Sequence, residues 1–320
     1  MQQNATVAPR HRTQTLSHAV FVLQPRFDHF HFVVLLILVV ASGLLTASCG
    51  DSDSDAQVAA VTVELDRDTV PLGGPVKLAV QFVVAPTHQA LAEDYRVMVH
   101  FLDANGDLMW AADHDPPTPT SQWQPGQTIS YTHRARIPMY PYIGDAVVTV
   151  GLYSATTGQR LPLAGEDLGQ REYRGTVVSL VPQPESSFLM HQDGWHDDEY
   201  NQDANEYWRW TADRAVLSFR NPGVDAVLHI EFDGRADLFD PPQQFVIRLG
   251  DVVVHESRVD SVDHQFHELL LGADQMGEGE SVTLSLEVDR TFVPSAVPGA
   301  PPGDDRNLGI RVFYSFLEPQ

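Results

Sequence analysis

The stretch Val61–Leu65, VTVEL, decides the class of fold, because its apolar and polar residues alternate strictly. A period of two residues is typical of a β-strand with one face buried and the other in solvent. Pro71–Gly74 follows as a turn, and Val76–Phe82 (VKLAVQF) largely repeats the alternation. The pattern indicates an antiparallel sheet built from consecutive strands.

Similar runs continue to about residue 180, without a convincing helix between them. Asn105-Gly106 predicts a β-hairpin, because a type I′ turn needs two central residues that tolerate positive φ. With about seven short strands, residues 58–180 predict an immunoglobulin-like β-sandwich. The strands expected after Phe82 are Tyr95–Leu102, Thr128–His133, Ala146–Tyr153 and Gly175–Leu180.

Residues 181–187 contain two prolines and little to bury, which indicates a linker. Residues 188–320 then predict a second sandwich, of the jelly-roll type. Gly250-Asp251 suits a two-residue hairpin, and Leu269–Asp274 is expected to contain a short helical turn. The strands expected in this half are Ala215–Phe219, Ala226–Phe232, Phe245–Leu249, Val252–Glu256, Val282–Val288 and Leu308–Tyr314.

Near the N-terminus, an apolar run from Phe32 to Ser48 follows a segment with three arginines and ends at Cys49. Basic residues, an apolar core and small residues before the cut are the parts of a secretory signal. The pattern resembles the signal of a bacterial lipoprotein, although Thr46 stands where that signal has an aliphatic residue. The resemblance implies a signal peptide at 1–48, a lipid on Cys49 and a polar tether at 49–57.

The lipoprotein interpretation predicts export and anchoring at the outer face of the cytoplasmic membrane or at the outer membrane. An uncleaved transmembrane anchor is the alternative, since a spanning helix needs about 20 apolar residues, with a lower limit near 17. Both alternatives place the folded body outside the cytoplasm, because the positive flank stays inside.

The chain is strongly acidic, with 20 Lys and Arg against 43 Asp and Glu and a formal net charge of −23. Such a surface repels phosphate backbones, so we expect no nucleic-acid partner. Cys49 is the single cysteine. An internal disulfide therefore cannot form, and the core alone must hold the folded body together.

Several segments carry a second resemblance: Val99–Asp103, Trp123–Gly126, Val150–Tyr153, Gly158–Pro162, Gly194–Trp195, Trp208–Thr211, Asp289–Pro294 and Asp304–Val312. They resemble accessory β domains of bacterial membrane glycosyltransferases of the dolichyl-phosphate-mannose mannosyltransferase type. The resemblance implies an accessory module of envelope glycan metabolism and supplies no catalytic residues. The set of spanning helices that forms the catalytic core of those enzymes has no counterpart in this sequence.

Trp195, Trp208 and Trp210 are the candidate ligand-binding residues, because flat aromatic faces stack on sugar rings. On a strand, Trp208 and Trp210 share one face and Arg209 points to the other. If the tryptophan face is exposed, it forms a binding platform. If it is the inner face, these tryptophans are core residues.

Arg290 and Arg306 lie beside acidic residues and could pair with a carboxylate in a site or pin the Pro-rich loop 294–302. The densest polar cluster begins at His191 and would supply oxygen ligands for Ca²⁺, which takes six to eight of them. A solvated acidic loop is the alternative, and the histidines match no standard zinc spacing. The candidate calcium ligands are Asp193, Asp197, Asp198 and Glu199.

The sequence has no Gly-x-Ser-x-Gly elbow, no phosphate-binding loop and no His-Glu-x-x-His motif. We therefore expect a non-catalytic, lipid-anchored envelope protein that binds a glycan or another envelope component. A structural or protein-interaction role without sugar binding is the alternative. An envelope glycosidase is a third, and it requires two carboxylates at the right separation.

Overall fold

The computed structural model describes residues 56–202, 206–299 and 302–320. These residues are all-β with one short α-helix, α1 (Ala273–Met276), which confirms the predicted fold class. Within them, no helix has both the length and the apolarity needed to cross a membrane. The predicted signal peptide, the lipid site Cys49 and the first part of the tether lie outside the described residues.

The strands between residues 59 and 181 form the N-terminal sandwich. They are β1 (Ala59–Leu65), β2 (Thr69–Pro71), β3 (Pro75–Val84), β4 (Tyr95–Leu102), β5 (Leu108–Ala111), β6 (Thr128–Arg136), β7 (Gly144–Ser154), β8 (Leu163–Ala164) and β9 (Tyr173–Val181). One sheet has the order β6-β3-β1-β8, and the other has the order β2-β9-β7-β4-β5. Both sheets contribute side chains to one shared core.

Alternation builds this core, as β3 illustrates. Every second residue of β3, from Val76 to Val84, is buried, and the residues between them are more exposed. Trp123 is also buried, with its ring centroid 5.0 Å from that of Phe82, and its Nε1 donates to the Thr118 carbonyl at 3.0 Å. Burying one large apolar side chain stabilises the fold by about 1.5–3 kcal/mol, which lets packing hold the sandwich without a disulfide.

The hairpin predicted at Asn105-Gly106 joins β4 to β5, but its turn is not the expected type I′. Gly106 has φ of +84°, whereas Asn105 is not among the non-glycine residues with positive φ. The carboxylate of Asp103 holds the turn by accepting hydrogen bonds from the backbone N–H groups of Asn105 (2.8 Å) and Asp107 (2.9 Å). One left-handed residue is therefore enough, and glycine supplies it.

The strands between residues 190 and 319 form the C-terminal sandwich. They are β10 (Met190–His191), β11 (Trp195–Asn201), β12 (Glu206–Thr211), β13 (Arg214–Arg220), β14 (Ala226–Asp233), β15 (Gln243–Leu249), β16 (Val252–Val259), β17 (Gln265–Leu271), β18 (Ser281–Val288) and β19 (Arg311–Pro319). The sheet orders are β10-β13-β18-β15-β16 and β11-β12-β19-β14-β17. The Gly250-Asp251 hairpin between β15 and β16 is confirmed.

β10, β11 and β12 are not among the strands expected in this half, and two expected elements have other bounds. Leu269–Leu271 belongs to β17, which pairs along its whole length with β14, and the helical turn begins only at Ala273. The last strand begins at Arg311 rather than Leu308, because Leu308 forms an isolated bridge with Phe292 instead. Pairing with residues far away in sequence decides both cases.

Charge pairs join the two sandwiches. Lys77, the only lysine in the chain, lies 2.9 Å from Glu268, and Arg67 is paired with Glu318. The Tyr314 hydroxyl donates to the Gly73 carbonyl at 2.8 Å. In each ion pair the base comes from the N-terminal sandwich and the acid from the C-terminal sandwich.

His229 lies in the middle of these pairs and is 4% exposed. Its Nε2 is 2.9 Å from Glu318, and its Nδ1 finds no hydrogen-bond partner among the described residues. Burial lowers the pKa of His229 to about 4, although Glu268 acts in the opposite direction. The neutral ring is therefore the form that the folded protein holds.

We predict that His229 makes the fold less stable in acid. An unfolded histidine protonates near pH 6.5, so between pH 6.5 and 4 the unfolded chain binds the proton more readily and stability falls as pH falls. Replacing His229 with Gln should reduce the loss of unfolding free energy between pH 7 and pH 5 by about 1–2 kcal/mol. Urea titrations at both pH values measure this, and an unchanged pH dependence would contradict it.

Candidate functional site

The hairpin of β11 and β12 carries the candidate site. β12 joins the rest of its sheet through pairs with β19 at Arg209 and Trp210. Beyond these pairs the hairpin continues to Asn201 and Glu206, which are paired with each other. In this outer part Tyr200 and Tyr207 are exposed, whereas Glu199 and Trp208 on the other face are partly buried.

Two exposed tyrosines occupy one face of the hairpin. Tyr200 and Tyr207 are directly opposite each other in the ladder, and their rings stack with centroids 4.2 Å apart. Tyr207 is 63% exposed and Tyr200 is 45% exposed. Large aromatic groups are usually at least partly buried, so a stacked pair in solvent is a candidate ligand platform.

A charged pair lies next to the tyrosines on the same face. Arg209 donates to Asp198 through two nitrogens, with Nη2 2.7 Å from Oδ2. These hydrogen bonds lower the pKa of Asp198 and raise that of Arg209, so both groups stay charged. A guanidinium retains donors and a carboxylate retains lone pairs after such pairing, and both can reach a ligand.

Asp198, Tyr207, Arg209 and His191 line a small cleft of about 130 Å³ beside β19. Burial and then the nearby Arg209 lower the pKa of His191, which favours its neutral form. The His191 ring packs edge-on against Trp195 with centroids 4.5 Å apart. The cleft therefore combines an aromatic wall with donors and acceptors of both charges.

The opposite face of the hairpin holds Trp208 and Trp210, which share that face as the sequence predicts. The guanidinium carbon of Arg311 lies 5.3 Å from the Trp208 centroid and 5.5 Å from that of Trp210. Nε of Arg311 donates to Asp233, a carboxylate that is 1% exposed, at 2.8 Å. The ion pair of Arg311 with the buried carboxylate of Asp233 thus lies against both tryptophan rings.

The three tryptophans proposed from sequence have different surroundings. Trp210 is 8% exposed and contacts Phe292 edge-on at 5.4 Å, so it is a core residue, which is the alternative that the sequence left open. Trp195 packs against the core, and its Nε1 donates to the Val216 carbonyl at 2.8 Å. Trp208 is half-buried, and no described residue accepts a hydrogen bond from its Nε1.

Arg290 and Arg306 both make structural contacts. Nη2 of Arg290 donates to the carbonyl oxygens of Pro241 at 2.6 Å and Pro242 at 3.0 Å. Arg306 joins Asp304 at 2.6 Å to Glu199 at 2.8 Å, which fastens the loop before β19 to β11. Hydrogen bonds from Arg306 lower the pKa of Asp304 to about 2.

The proposed calcium ligands are not brought together. Asp198 pairs with Arg209 on one face of β11, and Glu199 pairs with Arg306 on the other. Asp193 and Asp197 are exposed. Across residues 56–202, 206–299 and 302–320, no group of three or more His, Cys, Asp or Glu side chains is placed to hold a metal ion.

The two tyrosines are not among the candidate residues predicted from the sequence, and Arg209 has no predicted role in binding. The signal was present in part, because Tyr207 and Arg209 alternate with the two tryptophans along β12. The exposure of the tyrosine face could not be read from that alternation. It follows from the position of the hairpin at the edge of the sheet.

No family model matches this chain, and no curated protein matches it. Solved structures give weak likenesses. The M60 catalytic domain with the CBM51-1 and CBM51-2 domains of Clostridium perfringens ZmpB is 8% identical over 77% of this chain and 34% of its own, with a TM-score of 0.22.

The CBM51-2 and INT domains of ZmpB are 11% identical to this chain. The match covers 56% of this chain and 38% of that structure, with a TM-score of 0.23. Trypsin-activated alpha-2-macroglobulin from Escherichia coli is 10% identical to this chain. The match covers 81% of this chain and 16% of that structure, with a TM-score of 0.24. This chain thus spans well under half the length of each of these structures. At these TM-scores, the likenesses carry no argument about function.

We predict stability losses of different size on the two faces of β12. Trp210→Ala removes a buried indole and should lower the unfolding free energy by about 3–5 kcal/mol. Tyr207→Ala removes an exposed ring and should lower it by less than about 1 kcal/mol. Urea unfolding of both variants tests this, and equal losses would contradict the assignment of Trp210 to the core.

Proposed function

We propose that the protein binds a glycan, without catalysing a reaction on it, at the cleft beside the β11–β12 hairpin. The observation that carries the proposal is the exposed, stacked pair Tyr200 and Tyr207 next to the ion pair of Asp198 and Arg209. The expected accessory role in envelope glycan metabolism is part of the same proposal.

The chemistry of sugars fits this surface. The C–H face of a pyranose ring buries apolar area against an aromatic ring, while its hydroxyls need donors and acceptors in the ring plane. Tyr207 offers the ring, and Asp198, Arg209 and His191 offer the polar atoms along the same cleft. Asp198 is held in an ion pair, whereas a glycosidase would need a second carboxylate opposite it.

A panel of bacterial-envelope and host oligosaccharides, screened with full-chain protein in detergent, tests the proposal. Tyr207→Ala should weaken binding of any retained glycan about tenfold, because it removes the stacking face. Tyr140→Ala is the matched control, since Tyr140 is exposed but lies in the N-terminal sandwich. Equal affinity of the two variants, or no binding on the panel, would overturn the proposal in favour of a protein-interaction role.

The lipid anchor at Cys49 is a further part of the proposal, and it rests on the sequence pattern. Cys49→Ser should abolish metabolic labelling with a fatty-acid analogue in the native host. It should also block processing before residue 49. Labelling that persists in the variant, or a wild-type chain that keeps residues 1–48, would favour the uncleaved anchor instead.

A further inference from the structure

A crevice of about 390 Å³ lies between the two sandwiches, on the side where β6 approaches β14 and β17. Crevices of this size at the junction of two folded units are common ligand sites. The residues that matter for its chemistry are Asp113, His133, Arg134, Arg136, Glu231 and Phe266.

The carboxylates of the crevice are already engaged. Glu231 lies 3.4 Å from Arg136 and 3.0 Å from His264. Asp113 accepts a hydrogen bond from the backbone N–H of Val99 at 3.0 Å. Neither carboxylate forms an ion pair with the remaining arginine of the crevice, although Asp113 keeps its charge, because a backbone N–H donor does not neutralise it.

Arg134 is that remaining arginine. Its side chain is exposed, and its guanidinium carbon lies 4.7 Å from the Phe266 centroid. No carboxylate among the described residues forms an ion pair with it. Glu268, two residues beyond Phe266, is held by Lys77 at 2.9 Å, and the charge of Arg134 acts on it only at longer range. An arginine that packs on an aromatic ring and makes no hydrogen bond or ion pair among the described residues has N–H donors with which it can bind an anion.

His133 contributes polarity without charge. Its ring stacks on that of His114 with centroids 3.7 Å apart. Burial and the neighbouring His114 lower the pKa of His133 to about 4, so it is neutral at pH 7. It adds a donor or an acceptor at the wall of the crevice.

We propose that this crevice binds a small anion, a carboxylate or a phosphate on a molecule no larger than a monosaccharide, through Arg134 and with help from Arg136. The overall charge of −23 makes such a site unexpected, and what supports it is an exposed arginine in the crevice that forms no ion pair among the described residues. The crevice shares none of its lining residues with the hairpin cleft, so the anion site and the glycan site can be tested independently.

Calorimetric titration of the full-chain protein with glucuronate, inorganic phosphate and glucose tests the proposal. At least one of the two anions should bind, and glucose should not. Binding of glucuronate alone identifies a carboxylate as the ligand group, and binding of phosphate alone identifies a phosphate. Binding of neither anion, or equal binding of glucose that persists in Tyr207→Ala protein, would overturn the proposal.

Arg134→Gln should weaken anion binding about tenfold, and Arg134→Lys should restore part of it, since the charge returns without the planar fork. Arg258→Gln is the matched control, because Arg258 is exposed on β16, away from the crevice. Unchanged anion binding in Arg134→Gln, or an equal loss of anion binding in Arg258→Gln, would contradict the assignment of the anion site to Arg134. Tyr207→Ala should leave anion binding intact, which separates this site from the glycan cleft.

Discussion

The ion pair of Arg311 and Asp233 is the interaction on which the outer face of the C-terminal sandwich depends. Asp233 is almost fully buried, and an unpaired carboxylate there would cost several kcal/mol. Arg311 stands opposite both Asp233 and Trp210 in the ladders, so one residue connects β14, β19 and β12. Its guanidinium also lies over Trp208 and Trp210. This contact fixes β12, and β12 in turn positions the hairpin that carries the tyrosine platform.

The same sheet is covered on both faces, which explains how the two sandwiches come together. Its inner face packs into the core, while Tyr314 and Glu318 on its outer face contact the N-terminal sandwich. Because most of the surface is acidic, the few cations carry much of the specificity of this contact. Lys77 pairs with Glu268 and Arg136 with Glu231, whereas Arg134 forms no ion pair among the described residues. The junction therefore joins the sandwiches and also forms the crevice in which the Arg134 guanidinium is exposed.

The β11–β12 hairpin shows which features of the candidate site can be predicted from an alternating sequence pattern. Alternation along β12 correctly assigns Trp208 and Trp210 to one face and Arg209 to the other. It does not show that Phe292, which lies more than 80 positions away in the chain, covers Trp210. It also does not show that Tyr200 on β11 stacks on Tyr207. The candidate platform is consequently on the face opposite the one that the tryptophans suggested.

The sequence by itself determined the all-β class, the course of strands such as Tyr95–Leu102 and Ala226–Phe232, and the positions of two hairpin turns. These are local properties, because a period of two and the φ preference of glycine are set by neighbouring residues. Tertiary structure alone decided that Leu269–Leu271 is a strand, that Trp210 is core, and that Arg134 forms no ion pair within the described part of the chain. Each of these depends on a partner distant in sequence, and burial and charge pairing are fixed only when those partners meet.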